Sequence, residues 1–112
     1  MEAANVLPGT LDLLILKALS LGSLYGYGIL LRIEEISGRA LEIEQGALYP
    51  ALYRLEAAGA VKAVWEPEPH GRRGARRRIY RLTPKGQRQL DAGRVEWQEF
   101  VRVLGGILGA PA

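Results

Sequence analysis

The chain has 112 residues, of which 48% are hydrophobic and 24% charged, and its formal net charge is +3 at pH 7. This length and composition fit one globular domain with a modest core, which self-association would enlarge. The chain has no cysteine, which excludes disulfides and thiolate metal sites, and we expect neither a metal nor a cofactor. The apolar runs are too short for a membrane span and no basic region precedes residues 11–16, so we expect no membrane segment, no secretory signal and a cytoplasmic location.

Two helices are predicted in the first third of the chain. Thr10 is a candidate N-cap for the first helix, which ends near Gly22. Its apolar residues recur at helical spacing: Leu11, Leu14, Ile15, Ala18 and Leu19. The second helix is predicted over about residues 25–37, with Gly38 just past its end. The apolar side of this helix carries Ile29, Leu30, Ile33 and Ile36.

A third helix is predicted over residues 46–59, ending at Gly59. At about 100° per residue, Leu48, Leu52 and Leu55 share one face. The opposite face is largely small and carries Gly46, Ala47, Pro50, Tyr53, Arg54 and Ala57. Small residues there let the backbone approach another surface closely. Pro50 removes one backbone donor, but the leucine spacing continues through it, so we predict one continuous, bent helix.

An arginine-rich hairpin follows the third helix. Alternating residues predict two strands, near residues 61–65 and 79–82, with Trp65 in the core. Residues 70–81 contain no acidic residue and six arginines, namely Arg72, Arg73, Arg76, Arg77, Arg78 and Arg81. Such a local positive field attracts polyanions, and guanidinium forks match phosphate oxygens or the acceptor edge of guanine. The alternative is a solvated, charged hairpin. In either case we expect one or two of Arg77, Arg78 and Arg81 to pair with Glu66, Glu68 or the acidic face of another element.

The last predicted helix begins with Thr83 as its cap and Pro84 at its first position. Its apolar side chains either pack back on the first helix or meet a partner chain, and we favour a two-fold homodimer. The expected interface residues are Leu90, Trp97, Phe100, Val101, Leu104, Ile107 and Leu108.

These elements predict a mainly α fold with a small β-hairpin (α+β), namely a winged helix-turn-helix with a C-terminal dimerisation helix. Residues 1–83 would form the DNA-binding domain and residues 84–112 the dimerisation helix, together in one compact unit.

Two linked segments carry a family resemblance, GALYPALYRLE at residues 46–56 and RRIYRLTPKG at residues 77–86. With LDLLIL at 11–16 and YGYGI at 25–29, in order over roughly residues 7–104, the chain resembles the PadR family of bacterial transcriptional regulators, in its short subgroup with one C-terminal helix. The resemblance implies a winged-helix dimer that represses genes by binding an operator and is often released by a small aromatic ligand. The chain departs from the family pattern at Ala47, where Ser or Thr is common, near Glu44, where the family has Ser, and at Tyr53, where a basic residue or histidine is common.

A double-stranded DNA operator is therefore the expected partner, with the third helix in the major groove. The expected DNA contacts are Gln45, Gly46, Ala47, Tyr49, Pro50, Tyr53 and Arg54 from this helix and Arg72, Arg73 and Arg76 from the wing. Gln45 is the best amide for adenine. Arg54 is favoured as a DNA contact over a surface ion pair with Glu56 or another carboxylate. Tyr49 either touches a phosphate or packs on the core. Trp97 is the candidate contact for a small aromatic effector, although core packing is the preferred interpretation.

Other classes of function fit less well. No catalytic residue is expected, because the only histidine, His70, lies in the predicted loop and no cysteine is present. A winged-helix adaptor that binds a protein through the last helix is the main alternative to specific DNA binding. An RNA-binding winged helix is a third, although Tyr49 and Tyr53 are its only aromatic platforms. Salt dependence and duplex preference distinguish these alternatives.

Overall fold

The structure is a computed structural model that describes residues 9–67 and 76–111. In chain order these residues form α1 (Thr10–Ser20), β1 (Leu24–Tyr25), α2 (Gly26–Ile36), α3 (Gln45–Ala57), β2 (Val61–Trp65), β3 (Arg78–Leu82) and α4 (Pro84–Leu108). The strands form an antiparallel sheet in the order β1-β3-β2. The predicted fold class, a mainly α winged helix with a small sheet, is confirmed. Arg72 and Arg73 lie outside the described residues.

The core lies where α1, α2 and α3 meet one face of the sheet. The largest fully buried side chains are Ile15, Leu16, Ile29, Leu48 and Leu52. Leu48 and Leu52 belong to the leucine stripe predicted for α3, and the third member of that stripe, Leu55, is also buried. In α2 the expected apolar side is buried except at Ile36, which is exposed because it lies in the last turn, next to the turn at Ser37.

The sheet register decides which strand residues face the helices. Val61 pairs with Leu82 and Ala63 with Tyr80, and these side chains pack against the helical core. Trp65 shares their face of the sheet, but the expectation that it lies in the core is wrong, since 61% of the residue is exposed. It pairs with Arg78 at the end of β2, the end opposite the buried Val61.

Of the two threonines predicted to cap helices, one does so and the other does not. The prediction that Thr10 caps α1 is wrong: Gly9 is the N-cap, with φ of 82°, and Thr10 is the first helical residue. The prediction for Thr83 is confirmed, because its Oγ1 accepts a hydrogen bond from the Gly86 backbone N–H at 3.0 Å. The Thr83 hydroxyl also donates to the Gly59 carbonyl oxygen at 2.6 Å, which ties the start of α4 to the turn after α3.

Pro50 lies inside a continuous α3, as predicted. The carbonyl that it deprives of a helical donor belongs to Gly46, an exposed residue whose backbone water can hydrate. The first part of α4 packs against α1, where Gly93 lies against the Leu13 side chain. Leu90, expected at a dimer interface, is 4% exposed and belongs to the core of this chain, so it is unavailable to a partner.

Candidate nucleic-acid interface

The solvent-facing side of α3 is exposed and carries mostly small or aromatic residues. Tyr53 stands near its middle and is 75% exposed. Gly46 lies on the same side, and a Cβ added there would meet no atom within 4 Å. The remaining exposed or half-buried residues of this side are Gln45, Ala47, Pro50, Arg54 and Ala57. We call this set, with Tyr53 and Gly46, the outer face of α3. It forms an exposed helical ridge, the kind of surface that fits a DNA groove.

Tyr49 borders the outer face and is half-exposed. Its ring lies over Gly26, the first residue of α2: a Cβ on Gly26 would come within 2.7 Å of the Tyr49 hydroxyl oxygen. The ring therefore packs on the fold, as one of the two interpretations predicted, and the phosphate contact of its hydroxyl stays a prediction. Only a residue without a side chain at position 26 permits this packing.

Arg54 forms an ion pair with Asp12 of α1. The Arg54 Nη2 atom lies 3.1 Å from Asp12 Oδ1, and the two side chains are 60% and 24% exposed. The sequence favoured a DNA contact over such a pair, but the structure of this chain holds the guanidinium on α1. The partner is Asp12, 42 positions away along the chain, rather than the neighbouring Glu56.

Two arginines at the start of β3, which is the base of the predicted wing, contact other elements of the fold. The Arg77 guanidinium lies 4.1 Å from the centre of the Tyr25 ring, in a cation–π contact, and its backbone N–H donates to Glu66 Oε1 at 3.1 Å. Arg78 pairs with Glu56 of α3 at 2.8 Å. The expected pairing of one or two wing arginines with carboxylates is thus confirmed, while Arg76 is exposed.

Arg78 also organises the aromatic residues at this end of the sheet. Its guanidinium carbon lies 6.0 Å from the Trp65 ring centre and 5.9 Å from that of Tyr80. Burial raises the pKa of Tyr80 above its ordinary value, and the positive charge of Arg78 opposes that increase. Sequence reasoning missed this cluster, because its members belong to α3, β2 and β3 and meet only through the strand register.

An apolar groove of about 390 Å³ runs between α1 and α4. It is lined by Thr10, Leu13, Leu14, Lys17, Leu90, Arg94, Trp97 and Gln98. Trp97 is half-buried there and contacts Phe100 edge to face, with ring centres 5.7 Å apart. Beyond this point α4 exposes the other apolar residues expected at a dimer interface, Val101, Leu104, Ile107 and Leu108.

No group of three or more His, Cys, Asp or Glu side chains within residues 9–67 and 76–111 is placed to hold a metal ion. Within the same ranges, none of the helices combines the length and the apolar character that crossing a membrane requires.

The geometry agrees with the comparison to known families. The family model described as the transcriptional regulator PadR-like family matches residues 15–92. The chain belongs to the PadR family. The match runs from the middle of α1 through the whole winged helix to the part of α4 that packs on α1. Members of this family are DNA-binding transcription regulators and are typically dimers.

Individual PadR relatives agree with the family match. Transcriptional regulator Rv3488 of Mycobacterium tuberculosis is 39% identical over 74 residues, which is 65% of each chain. A solved transcriptional regulator from Clostridium thermocellum superposes with a TM-score of 0.80 at 32% identity, over 90% of this chain and 95% of that one. A PadR family transcription regulator from Clostridium difficile gives 0.75 at 31% identity, over 90% of this chain and all of that one.

Proposed function

We propose that this PadR regulator is a homodimeric repressor that binds a specific double-stranded DNA operator and is released by a small aromatic ligand. The observation that carries the proposal is the exposed outer face of α3 beside a wing that is rich in arginine. An exposed ridge of small side chains fits the major groove, and the neighbouring cations fit the phosphates. Because such a regulator acts on bacterial DNA, its place is the cytoplasm.

The outer face of α3 supplies the base contacts in this proposal. Gly46, Ala47 and Pro50 bring the backbone close to the groove, and Gln45 at the helix start presents an amide to adenine. Tyr53 is the largest exposed side chain on this face, and its hydroxyl reaches a base edge or a phosphate. Arg54 contributes once it leaves Asp12.

The start of α2 supplies a phosphate contact. Its N-cap residue, Tyr25, makes no side-chain capping hydrogen bond, so the first N–H groups of α2 lack that partner. Such groups favour an anion, and the Tyr49 hydroxyl beside Gly26 adds a donor at the same place. Arg77 above the Tyr25 ring adds positive charge. Together these groups support a phosphate contact that orients α3 in the groove.

The arginines of the wing contribute to the affinity for DNA more than to sequence specificity. Arg76 is exposed, and with Arg72 and Arg73 it would follow the backbone or enter the minor groove. Arg78 is paired with Glu56, so we assign it to the stability of the wing base instead. This division predicts that only some of the six arginines add to the salt dependence of binding.

The second half of α4 supplies the dimer interface. Phe100, Val101, Leu104, Ile107 and Leu108 are all exposed in the single chain, and a helix with such a stripe favours a partner that covers it. Trp97 lies at the boundary between this stripe and the groove against α1, where a planar ligand would stack. We retain residues 1–83 as the DNA-binding part and 84–112 as the dimerisation helix of one unit.

Leu104→Glu should convert the protein from dimer to monomer. Leu104 lies in the middle of the exposed stripe, where a carboxylate would be buried against the partner without a counter-charge. Sedimentation velocity measures the change. Val95→Glu is the control, because Val95 is 65% exposed and lies about 180° from Leu104 around the helix. The Val95→Glu variant should remain dimeric. A dimer mass for both variants would contradict this interface.

The direct test of the function is fluorescence anisotropy with two duplexes. The operator probe is selected from a randomised pool by the protein itself, and the control is a scrambled duplex. Tight, selective binding that weakens by orders of magnitude between about 50 and 200 mM salt would support the proposed binding of a specific operator. Weak, equal binding to both duplexes would favour the alternative of a protein-interaction adaptor that uses the exposed end of α4.

A further inference from the structure

Trp65 is exposed on the sheet face that otherwise packs against the helices. Strand alternation places it on the same face as Val61 and Tyr80, which are 2% and 6% exposed, whereas Trp65 is 61% exposed. Within residues 9–67 and 76–111, no group accepts a hydrogen bond from its indole N–H. A large apolar ring with a free donor is suited to a partner that is apolar on one side and an acceptor on the other.

Arg78 connects this indole to the helix proposed to face DNA. Its guanidinium carbon lies 6.0 Å from the centre of the Trp65 ring, and its Nη2 atom lies 2.8 Å from Glu56 Oε2 of α3. Glu56 follows Tyr53 by about one helical turn, and Tyr53 is 75% exposed on the outer face of α3. The indole therefore adjoins the outer face of α3, at the junction between this helix and the wing.

The geometry of a DNA duplex decides what meets this junction. In the proposed complex α3 occupies the major groove, and the wing arginines follow the backbone or enter the adjoining minor groove. A sugar–phosphate strand separates the two grooves, so it must pass between α3 and the wing. Because Arg78 is already paired with Glu56, the contact there is not an ionic one. An indole can instead cover the apolar face of a deoxyribose and donate its N–H to a phosphate oxygen.

We propose that Trp65 binds the sugar–phosphate strand between the major groove occupied by α3 and the minor groove approached by the wing. The proposal rests on the operator-binding function proposed above and adds to it a contact outside α3 and the arginines. Because the contact is made to the backbone and not to a base, it fixes the position of α3 relative to the duplex.

Fluorine NMR of protein labelled with fluorotryptophan tests this contact on the wild-type chain. The chain has two tryptophans, so the spectrum contains two signals, and the signal missing from Trp65→Phe belongs to Trp65. We expect the selected operator to shift the Trp65 signal and to remove most of its solvent isotope shift between light and heavy water, because DNA covers the indole. Trp97 is the internal control: it lies in the groove between α1 and α4 and should keep its solvent isotope shift.

Anisotropy of two variants measures what the contact contributes. Trp65→Ala should weaken operator binding about fivefold for each protomer, which is the size of one neutral hydrogen bond. Its salt slope should equal that of wild type, because no cation is lost. Val64→Ala is the matched control, since Val64 is exposed on the opposite face of β2, and it should bind the operator as wild type does.

Three results would overturn the proposal. Tight, selective binding by wild type with an unchanged Trp65 signal overturns the Trp65 contact alone. A flattened salt slope in Trp65→Ala also overturns it, because the indole would then only hold the wing arginines in place. A wild-type protein that binds both duplexes weakly and equally overturns this inference together with the proposed function.

Discussion

Gly46→Glu should reduce the affinity for the operator by at least about 100-fold without weakening the fold. Position 46 is the second residue of α3, is exposed, and has no atom within 4 Å of an added Cβ, so the side chain has room. A glutamate there is a better helix former than glycine and interacts favourably with the helix N-terminus. In a groove lined by phosphates the same carboxylate is repelled, by about 1–4 kcal/mol for each close phosphate at surface dielectric values.

Two measurements separate the effects of Gly46→Glu. Chemical denaturation should show an unchanged or higher free energy of unfolding, and anisotropy on the selected duplex should show the loss of affinity. Gly46→Gln adds the same bulk without charge. We expect its operator affinity to fall by less than about tenfold, because the phosphates do not repel an uncharged side chain and only its size opposes binding. Wild-type affinity in the glutamate variant would show that the outer face of α3 does not meet DNA.

Gly86→Ala should lower the free energy of unfolding by about 3 kcal/mol, because overpacking against rigid backbone cannot be relieved by a rotamer change. Gly86 is buried in the first turn of α4, and an added Cβ would overlap the Ala60 carbonyl oxygen, itself an acceptor for the Thr83 N–H. The side chain of Leu82 also lies within 2.8 Å of the Cβ position. The junction of α3, the sheet and α4 would have to open.

Urea denaturation with matched glycine variants tests this account of Gly86. Gly106→Ala places a methyl group in open space on the same helix and should raise the stability by about 0.5–1 kcal/mol through helix propensity. Gly93→Ala would meet the Leu13 side chain, which can move, so its loss should be smaller than that of Gly86→Ala. Equal stability of the Gly86 and Gly106 variants would contradict the packing described for the start of α4.

Periodicity in the sequence was enough to place every long element of this fold. The apolar spacing of α1, α2 and α3 and the alternation in β2 and β3 each reflect a face that must be buried, so they are visible in one dimension. The cap at Thr83 was visible for the same reason, as a local pattern of threonine followed by proline. Strand β1 was missed because two residues cannot show an alternation.

What the sequence missed at Trp65 and at Arg54 has one cause, which is that burial and pairing depend on neighbours distant in sequence. Trp65 has the alternation of a core residue, but it lies opposite Arg78 at the end of β2 and is exposed. The error at Thr10 has a local cause instead: Thr10 has the chemistry of a cap, but the adjacent Gly9 takes that place with a left-handed backbone. For Arg54, the local neighbour Glu56 was considered as a partner, whereas the chain brings Asp12 to it from another helix.

By itself, the sequence determined the elements of the winged helix, their order, the apolar faces that form its core and the family to which the chain belongs. Local periodicity and motif residues carry that information along the chain. Only the tertiary structure decided which charges are committed, namely Arg54 to Asp12 and Arg78 to Glu56, and that Leu90 packs within its own chain. Charged side chains are long and pair in space, so their partners follow from how helices and strands pack and not from their spacing in sequence.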